Sequence, residues 1–243
     1  MCRMLENRPA ISVIVPTYKE AANLRPLTER VFAATAAADI DAELLIVDDD
    51  SRDGSAEIVA ELAARYPVRI IIRTAERGLS SAVVRGFREA ANPVLVVLDA
   101  DLSHPPEVIP DLVGPIHRGE ADIAIGSRYA PGGRIAGPWS LLRVLNSRVA
   151  TLLARPLTGV RDPMSGFFAL HRTTLDRAAR LNPIGYKIGL ELVVKARCRR
   201  CLEVPIAFSD RVAGTSKLTL AEQIRYLRHL LHLYWFRLTS TQR

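Results

Sequence analysis

Short aliphatic runs alternate along the first half of the chain with longer stretches whose apolar residues recur every three or four positions. The runs at 11–15 (ISVIV), 44–47 (LLIV), 68–72, 94–98 (VLVVL) and 123–125 predict strands, the first stopped by Pro16. The stretches at 24–38, 55–65, 79–90 and 107–117 predict helices, with Ser55 placed to cap the second. Strands that are apolar on both faces and separated by helices imply a mainly parallel sheet covered on both sides. The second half is less regular. It reads as a Gly/Pro-rich loop at 128–138, helices at 141–153 and 190–200, and strands at 167–170 and 204–208. No repeat or linker divides the chain, so one α/β domain with a basic C-terminal elaboration is expected.

Composition narrows this picture. The 243 residues are 49 % hydrophobic and 24 % charged, which excludes a disordered chain. No apolar run approaches the ~18 residues of a membrane-spanning helix. The first ten residues lack the apolar stretch of a secretory signal. Three cysteines are too few for a disulfide scaffold and fit a reducing compartment. The net charge of +7 conceals a division: residues 1–127 hold 13 Lys+Arg against 20 Asp+Glu, and residues 128–243 hold 20 against 6. Charge segregated in this way suggests that each half handles a different charge in one site. Sparse aromatics and the lack of a recognition motif disfavour nucleic acid, despite the basic pI.

In parallel sheets ligands bind beyond the carboxyl ends of the strands. There the chain carries Lys19-Glu20, Asp48-Asp49-Asp50 and Asp99-Ala100-Asp101. Carboxylates two apart on an extended segment point the same way and form a hard-oxygen pair suited to Mg²⁺ or Mn²⁺. The alternative is a turn in which Asp101 or Ser103 caps the next helix. Neither a Gly-rich dinucleotide fingerprint nor a P-loop is present, which leaves a nucleotide held through Asp and a divalent metal.

At these positions the chain resembles glycosyltransferase family 2. The resemblance runs through Pro16-Thr17-Tyr18-Lys19-Glu20, Val47-Asp48-Asp49-Asp50-Ser51 and Asp99-Ala100-Asp101-Leu102-Ser103-His104-Pro105-Pro106. With Gly126-Ser127-Arg128-Tyr129, Asp162-Pro163-Met164-Ser165-Gly166-Phe167-Phe168 and Asp210-Arg211-Val212-Ala213-Gly214-Thr215-Ser216-Lys217-Leu218, it is similar to the dolichyl-phosphate (polyprenyl-phosphate) mannosyltransferases within that family. The motifs follow in order from about residue 11 to 218. The resemblance implies a GT-A fold over 1–218, with 219–243 a C-terminal amphipathic helix. It also implies inverting transfer of mannose from GDP-mannose to a polyprenyl phosphate. Pro16, Tyr18, Glu20, Val47 and Asp49 would line the nucleoside pocket. Asp99, Ala100 and Asp101 would meet the ribose, diphosphate and metal, with Asp101 the direct ligand and Asp99 and Ser103 beside it. Arg128, Arg211 and Lys217 would meet phosphates and stabilise the leaving group.

The pattern departs from that of the family in two places. Asp50 stands where many relatives carry glycine, and Ser103 where some carry glutamine, so water is expected to complete the metal's shell. The paired transmembrane tail of some relatives has no counterpart in the sequence. Asp162 and Glu191 match family positions, each read either as a structural partner or as a sugar or acceptor contact. Rival readings are a UDP-sugar donor (glucosyl or aminoarabinosyl transfer) and a non-catalytic nucleotide-sugar-binding subunit of a membrane complex.

At the C-terminus, Leu220, Ile224, Leu227, Leu231, Tyr234 and Leu238 recur at helical spacing, and residues 211–243 hold six Lys+Arg and one Glu. This predicts an interfacial helix with Trp235 as anchor, or else a helix packed on the core or on a partner. A peripheral place on the cytoplasmic face of a membrane follows, with room for a small anchoring subunit. Cys198-Arg199-Arg200-Cys201 reads as two incidental helical thiols.

Overall fold

A computed structural model describes residues 8–137, 141–182, 184, 187–209 and 220–240. The elements are β1 (Ala10–Thr17), α1 (Ala21–Ala37), β2 (Asp41–Asp48), α2 (Ser55–Ala63), β3 (Val68–Ile72), α3 (Leu79–Glu89), β4 (Val94–Val97), α4 (Ile109–His117) and β5 (Ile123–Ser127). Then come β6 (Arg134–Ile135), α5 (Leu141–Thr158), β7 (Phe168–His171), α6 (Arg172–Arg177), α7 (Ile188–Lys195), β8 (Cys201–Pro205), β9 (Ala207–Phe208) and α8 (Leu220–Ser240).

Seven strands form one sheet in the order β3-β2-β1-β4-β7-β5-β8. All neighbours are parallel except β7, which runs antiparallel to both β4 and β5. Alternate side chains of each strand enter opposite layers. Ile11, Val13 and Val15 pack with Leu24 and Leu27 of α1 and with Val59 of α2 and Leu112 of α4. Ile14, Leu45 and Val47 pack with Val83 and Phe87 of α3 and Leu192 of α7. Each fully buried aliphatic side chain stabilises the fold by about 1.5–3 kcal/mol. A third cluster joins Ala154 and Leu157 of α5, Leu190 and Val194 of α7, and Tyr226, Leu230 and Leu233 of α8, with Met164 beneath them.

Several expectations shift. Pro16 does not end β1, which continues to Thr17. The β1–β4 ladder stops at Ile14–Val97, so the N–H that proline lacks has no β4 partner to lose. Ser55 is the first residue of α2, not its cap; Gly54 precedes it with a left-handed φ of 91°. Asp53 Oδ1 accepts from the Ser55 N–H instead. Part of the 128–138 loop is β6, which pairs with β9. Helix α7 stops at Lys195, so Cys198 lies beyond the helix, in the connection to β8, and Cys201 opens β8. Both thiols are free, and burial pushes them up, to about 12 for Cys198 and about 11 for Cys201, which leaves them protonated and inert.

Candidate active site

The sheet order sets the carboxyl ends of β2, β1 and β4 side by side. The acids that follow those strands therefore share one rim, and β5 delivers Arg128 to the same edge. Because β7 is reversed, the loop leading into it (162–167) reaches that edge as well.

Asp48 is spent inside the rim. Its carboxylate accepts from Thr17 Oγ1 at 3.0 Å, Ser51 N at 2.8 Å and Ser51 Oγ at 2.5 Å. Asp49 is held from the other side: Arg73 Nε and Nη2 donate to Oδ1 at 2.8 and 2.5 Å, and Gly78 N donates to Oδ2 at 2.7 Å. Arg73 is itself buried, so Asp49 sits in a fixed orientation on the rim. Asp50 takes the left-handed conformation, φ 56°, that suits the glycine of the relatives. Its carboxylate pairs with Arg52 at 2.9 Å, lies 4.0 Å from Arg77, and the Arg77 guanidinium is 5.6 Å from the Tyr18 ring centroid.

β4 ends at Val97, and residues 100 and 101 form a turn with Leu102 at φ 60°. The extended-strand argument for the Asp99/Asp101 pair thus does not describe the local backbone. Both carboxylates nevertheless act on one neighbour, the buried His104 ring. Ser103 N and Oγ donate to Asp101 Oδ1 at 3.1 and 2.6 Å. No side chain caps the following helical turn, so the capping alternative for Asp101 and Ser103 is not what is seen. Burial lowers the His104 pKa against the pull of Asp99 and Asp101, which leaves the ring neutral at pH 7. His104 Nδ1 finds no hydrogen-bond partner among the described residues and lies 3.6 Å from Asp99 Oδ2.

Gly166 explains how Asp99 is seated. A Cβ there would stand 3.1 and 3.2 Å from the two carboxylate oxygens. Gly166→Ala requires Asp99 to shift by a few tenths of an ångström and is expected to slow turnover about tenfold, with an unchanged melting temperature. Steady-state rates measured beside thermal melts check this.

Arg128 is the rim's fixed cation. Its N–H, Nε and Nη2 donate to Asp162 at 3.0, 2.8 and 2.7 Å, and Asp162 is fully buried. The guanidinium also lies 5.4 and 5.1 Å from the Tyr129 and Phe208 ring centroids. Glu203 on β8 accepts from the N–H groups of Arg161 and Asp162 at 2.9 Å each, which pins the loop behind the pair. Of the two readings for Asp162, the structure displays the partner of an arginine. Lys187 completes the group. Its Nζ donates to Met164 O at 2.7 Å. Burial draws its ammonium down to about 8, the Arg128 charge adding to this while Asp99 and Asp162 oppose it.

Arg73, Lys187, Glu203 and Gly166 had no assigned role in the sequence reading. Pro16, Tyr18, Glu20, Val47, Ala100 and Ser103 stand on the same strand ends as the acids. Arg211 and Lys217 lie outside the described residues.

Glu191 faces inward rather than toward the rim. It accepts from Asn182 N at 2.6 Å, pairs with Lys195 at 2.6 Å and stands 3.5 Å from His229 on α8. Burial pushes the carboxyls of Glu191 and Asp162 up. The groups around each outweigh that, and both end below their usual values of 4.5 and 3.8. Both folded carboxylates thus hold protons more weakly than the unfolded ones. Their contribution is complete above the unfolded values and is lost as pH falls through the folded ones. Thermal stability is expected to decline below pH 4.5, and Glu191→Gln to flatten that decline in circular-dichroism melts.

A family model described as glycosyl transferase family 2 matches residues 12–178. The chain belongs to glycosyltransferase family 2. Among curated family members, "dolichol-phosphate mannosyltransferase" from Pyrococcus furiosus is 46 % identical over 92 % of this chain, which spans 63 % of that protein's length. Proteins of the same name from Mycosarcoma maydis and Saccharomyces cerevisiae are each 46 % identical, over 94 % and 93 % of the chain and 80 % and 87 % of their own lengths. The solved structure of glucosyl-3-phosphoglycerate synthase from Mycobacterium tuberculosis, in complex with Mn²⁺, UDP and glucosyl-3-phosphoglycerate, shares the fold. The TM-score is 0.65 at 22 % identity, covering 94 % of this chain and 80 % of that one. The GT-A expectation therefore holds. Among the described residues no helix is long and apolar enough to cross a membrane.

Proposed function

We propose that this glycosyltransferase moves mannose from GDP-mannose to a polyprenyl phosphate of the dolichol type, with inversion at the sugar carbon. The observation that carries the reading is the meeting on one rim of the Asp99/Asp101 carboxylates and the Arg128 guanidinium clamped by Asp162. The relatives of the same name at 46 % identity support the sugar and the acceptor.

The residues present fit a divalent cation. Asp99 and Asp101 offer hard oxygen donors, and no third His, Cys, Asp or Glu joins them among the described residues. Asp99 and Asp101 would hold a Mg²⁺ or Mn²⁺ there, leaving its remaining ligands to substrate and water. When bound it offsets the charge of the departing diphosphate. The chain's own groups do the rest. Asp49, oriented by Arg73, accepts from the nucleoside, and Tyr18 and Glu20 flank it. Arg128 faces the diphosphate; Arg211 and Lys217 are assigned to phosphate from the sequence alone. The acceptor's phosphate oxygen is already ionised at pH 7, so the site needs no strong general base. Positioning two anions against a cationic wall is the main task.

The test offers radiolabelled GDP-mannose, UDP-glucose and GDP-glucose with a short polyprenyl phosphate. Label is expected in the lipid phase from GDP-mannose. Transfer from UDP-glucose in its place would overturn the donor assignment, and no transfer from any donor would overturn the reaction. Because the acceptor is a lipid, the enzyme is assigned to a membrane surface, on the cytoplasmic side where nucleotide sugars are available.

A further inference from the structure

We infer that His104 is a positioning residue for the divalent cation: the Nδ1–H of its buried ring donates to Asp99 and aims that carboxylate at the metal. The inference rests on the metal reading of this site and not on which sugar is transferred.

Two groups at the rim lack what their neighbours have. Asp48, Asp49, Asp50, Asp101 and Asp162 each accept at least one hydrogen bond. Among the described residues Asp99 accepts none, and the contact it makes is with His104 Nδ1, 3.6 Å from Oδ2. That nitrogen is buried and has no hydrogen-bond partner among the described residues either. A buried polar atom left in this way calls for a role. A neutral imidazole carries one N–H, and the acceptor beside Nδ1 is a full carboxylate. An approach of about 0.7 Å would bring the pair to ordinary N–H···O distance.

The ring is held and the carboxylate is not. Leu102 turns the chain at φ 60°, and Pro105 restricts the backbone of His104 to the extended region. Ser209 N donates to Ser103 O at 3.1 Å, which ties this turn to the end of β9. Phe208 of β9 and Phe167 then enclose the imidazole, with ring centroids 5.2 and 5.5 Å away. The His104 side chain is 3 % exposed and that of Asp99 31 %. Asp99 therefore meets the open rim, where a cation would arrive, and His104 stands behind it. Gly166 backs the Asp99 carboxylate without a Cβ and leaves it the space to close on the ring.

The chemistry favours this division of labour. Mg²⁺ and Mn²⁺ prefer oxygen, so the carboxylate suits the first contact better than the ring does. A hydrogen bond to one carboxylate oxygen fixes the direction of the other, as donors behind metal ligands commonly do. A neutral donor also adds no repulsion toward the incoming cation, unlike an arginine or lysine in the same place.

Mn²⁺ binding to the full chain is measured from the electron paramagnetic resonance signal of the free ion, alone and with GDP. His104→Phe fills the space between the two phenyl rings but has no donor. It is expected to weaken Mn²⁺ binding about tenfold without lowering the melting temperature. His104→Asn returns an amide N–H near the Nδ1 position and should recover most of that affinity, although its poorer packing lowers the melting temperature. Affinity and stability then move in opposite directions. Loss of affinity in step with melting temperature across both variants would make the ring merely structural, and wild-type affinity in His104→Phe would overturn the inference outright. Long-range ¹H–¹⁵N spectra of the five histidines, with His104 assigned by its absence in His104→Phe, read the proton directly. The Nδ1–H form is expected, its proton moving downfield when Mg²⁺ is added. A bare Nδ1 in the Mg²⁺-loaded chain would make His104 a ligand instead. Failure of the wild-type chain to bind Mn²⁺ under either condition would overturn the metal reading itself, a result distinct from any of these.

Discussion

Asp101→Asn lowers the rate of sugar transfer by about a thousandfold, the scale expected when one electrostatic element of a preorganised site is removed. The substitution is chosen to isolate charge. An asparagine oxygen can still accept from Ser103 N and Oγ, which stand 3.1 and 2.6 Å from Asp101 Oδ1. The turn therefore keeps its hydrogen bonds, and stability changes by no more than about 1 kcal/mol. What is lost is one negative charge of the Asp99/Asp101 pair. In the proposed reaction the nucleophile is already ionised, so loss of a general base would not explain the effect. Single-turnover transfer measured over a range of Mn²⁺ concentrations reads the result. Turnover near that of the wild type at saturating metal would remove Asp101 from the chemistry.

Asp162→Ala has a different signature: activity and stability fall together. Asp162 is fully buried and accepts three hydrogen bonds from Arg128, whose side chain is only 10 % exposed. Removing the carboxylate strands a guanidinium in a poorly solvated place, at a cost of about 3–5 kcal/mol. For a chain of this size that corresponds to a fall of about 10 °C in melting temperature. Replacing both partners, Arg128→Met with Asp162→Leu, should restore most of the stability, because no unpaired charge remains. Activity should not return, because the rim has lost its fixed cation. Recovery of both would make the pair purely structural. Unchanged melting in the single variant would mean that water reaches Arg128 freely.

The legible and illegible parts of this molecule follow from how each residue is constrained. Ile11, Val13, Ile14 and Val15 are all inaccessible to solvent, and a strand buried on both faces leaves an unbroken aliphatic run that sequence displays directly. β6 and β9 are two residues each, too short for any period, and their pairing is purely tertiary. Helix α6, Arg172–Arg177, carries no apolar stripe and begins on a cap, the His171 side chain accepting from Thr173 N. Helix α8 is apolar around much of its circumference, so periodicity shows the helix but not which side meets the core.

The site divides in the same way. Acids at strand ends are visible because strands are visible. Their partners are not: Arg73 stands 24 residues from Asp49, and Asp162 stands 34 from Arg128. Gly166 is ordinary in sequence, and only its closeness to the Asp99 carboxylate gives it a role. Lys187 lies just ahead of α7, where no local pattern marks an ammonium held against the Met164 carbonyl.

The reversed strand also governs when the rim can exist at all. β7 must slot between β4 and β5, two strands made well before it, and β8 then closes on β5. These pairings join distant parts of the chain, and such contacts form late because long loops must close first. An emerging polypeptide can assemble β1 to β4 and the Asp49–Arg73 end of the rim early. It cannot seat Arg128 until Asp162 has arrived, nor brace that loop until Glu203 has left the ribosome. A newly made chain would thus acquire the acid end of its rim well before its arginine clamp, and would complete the rim only late in its own synthesis.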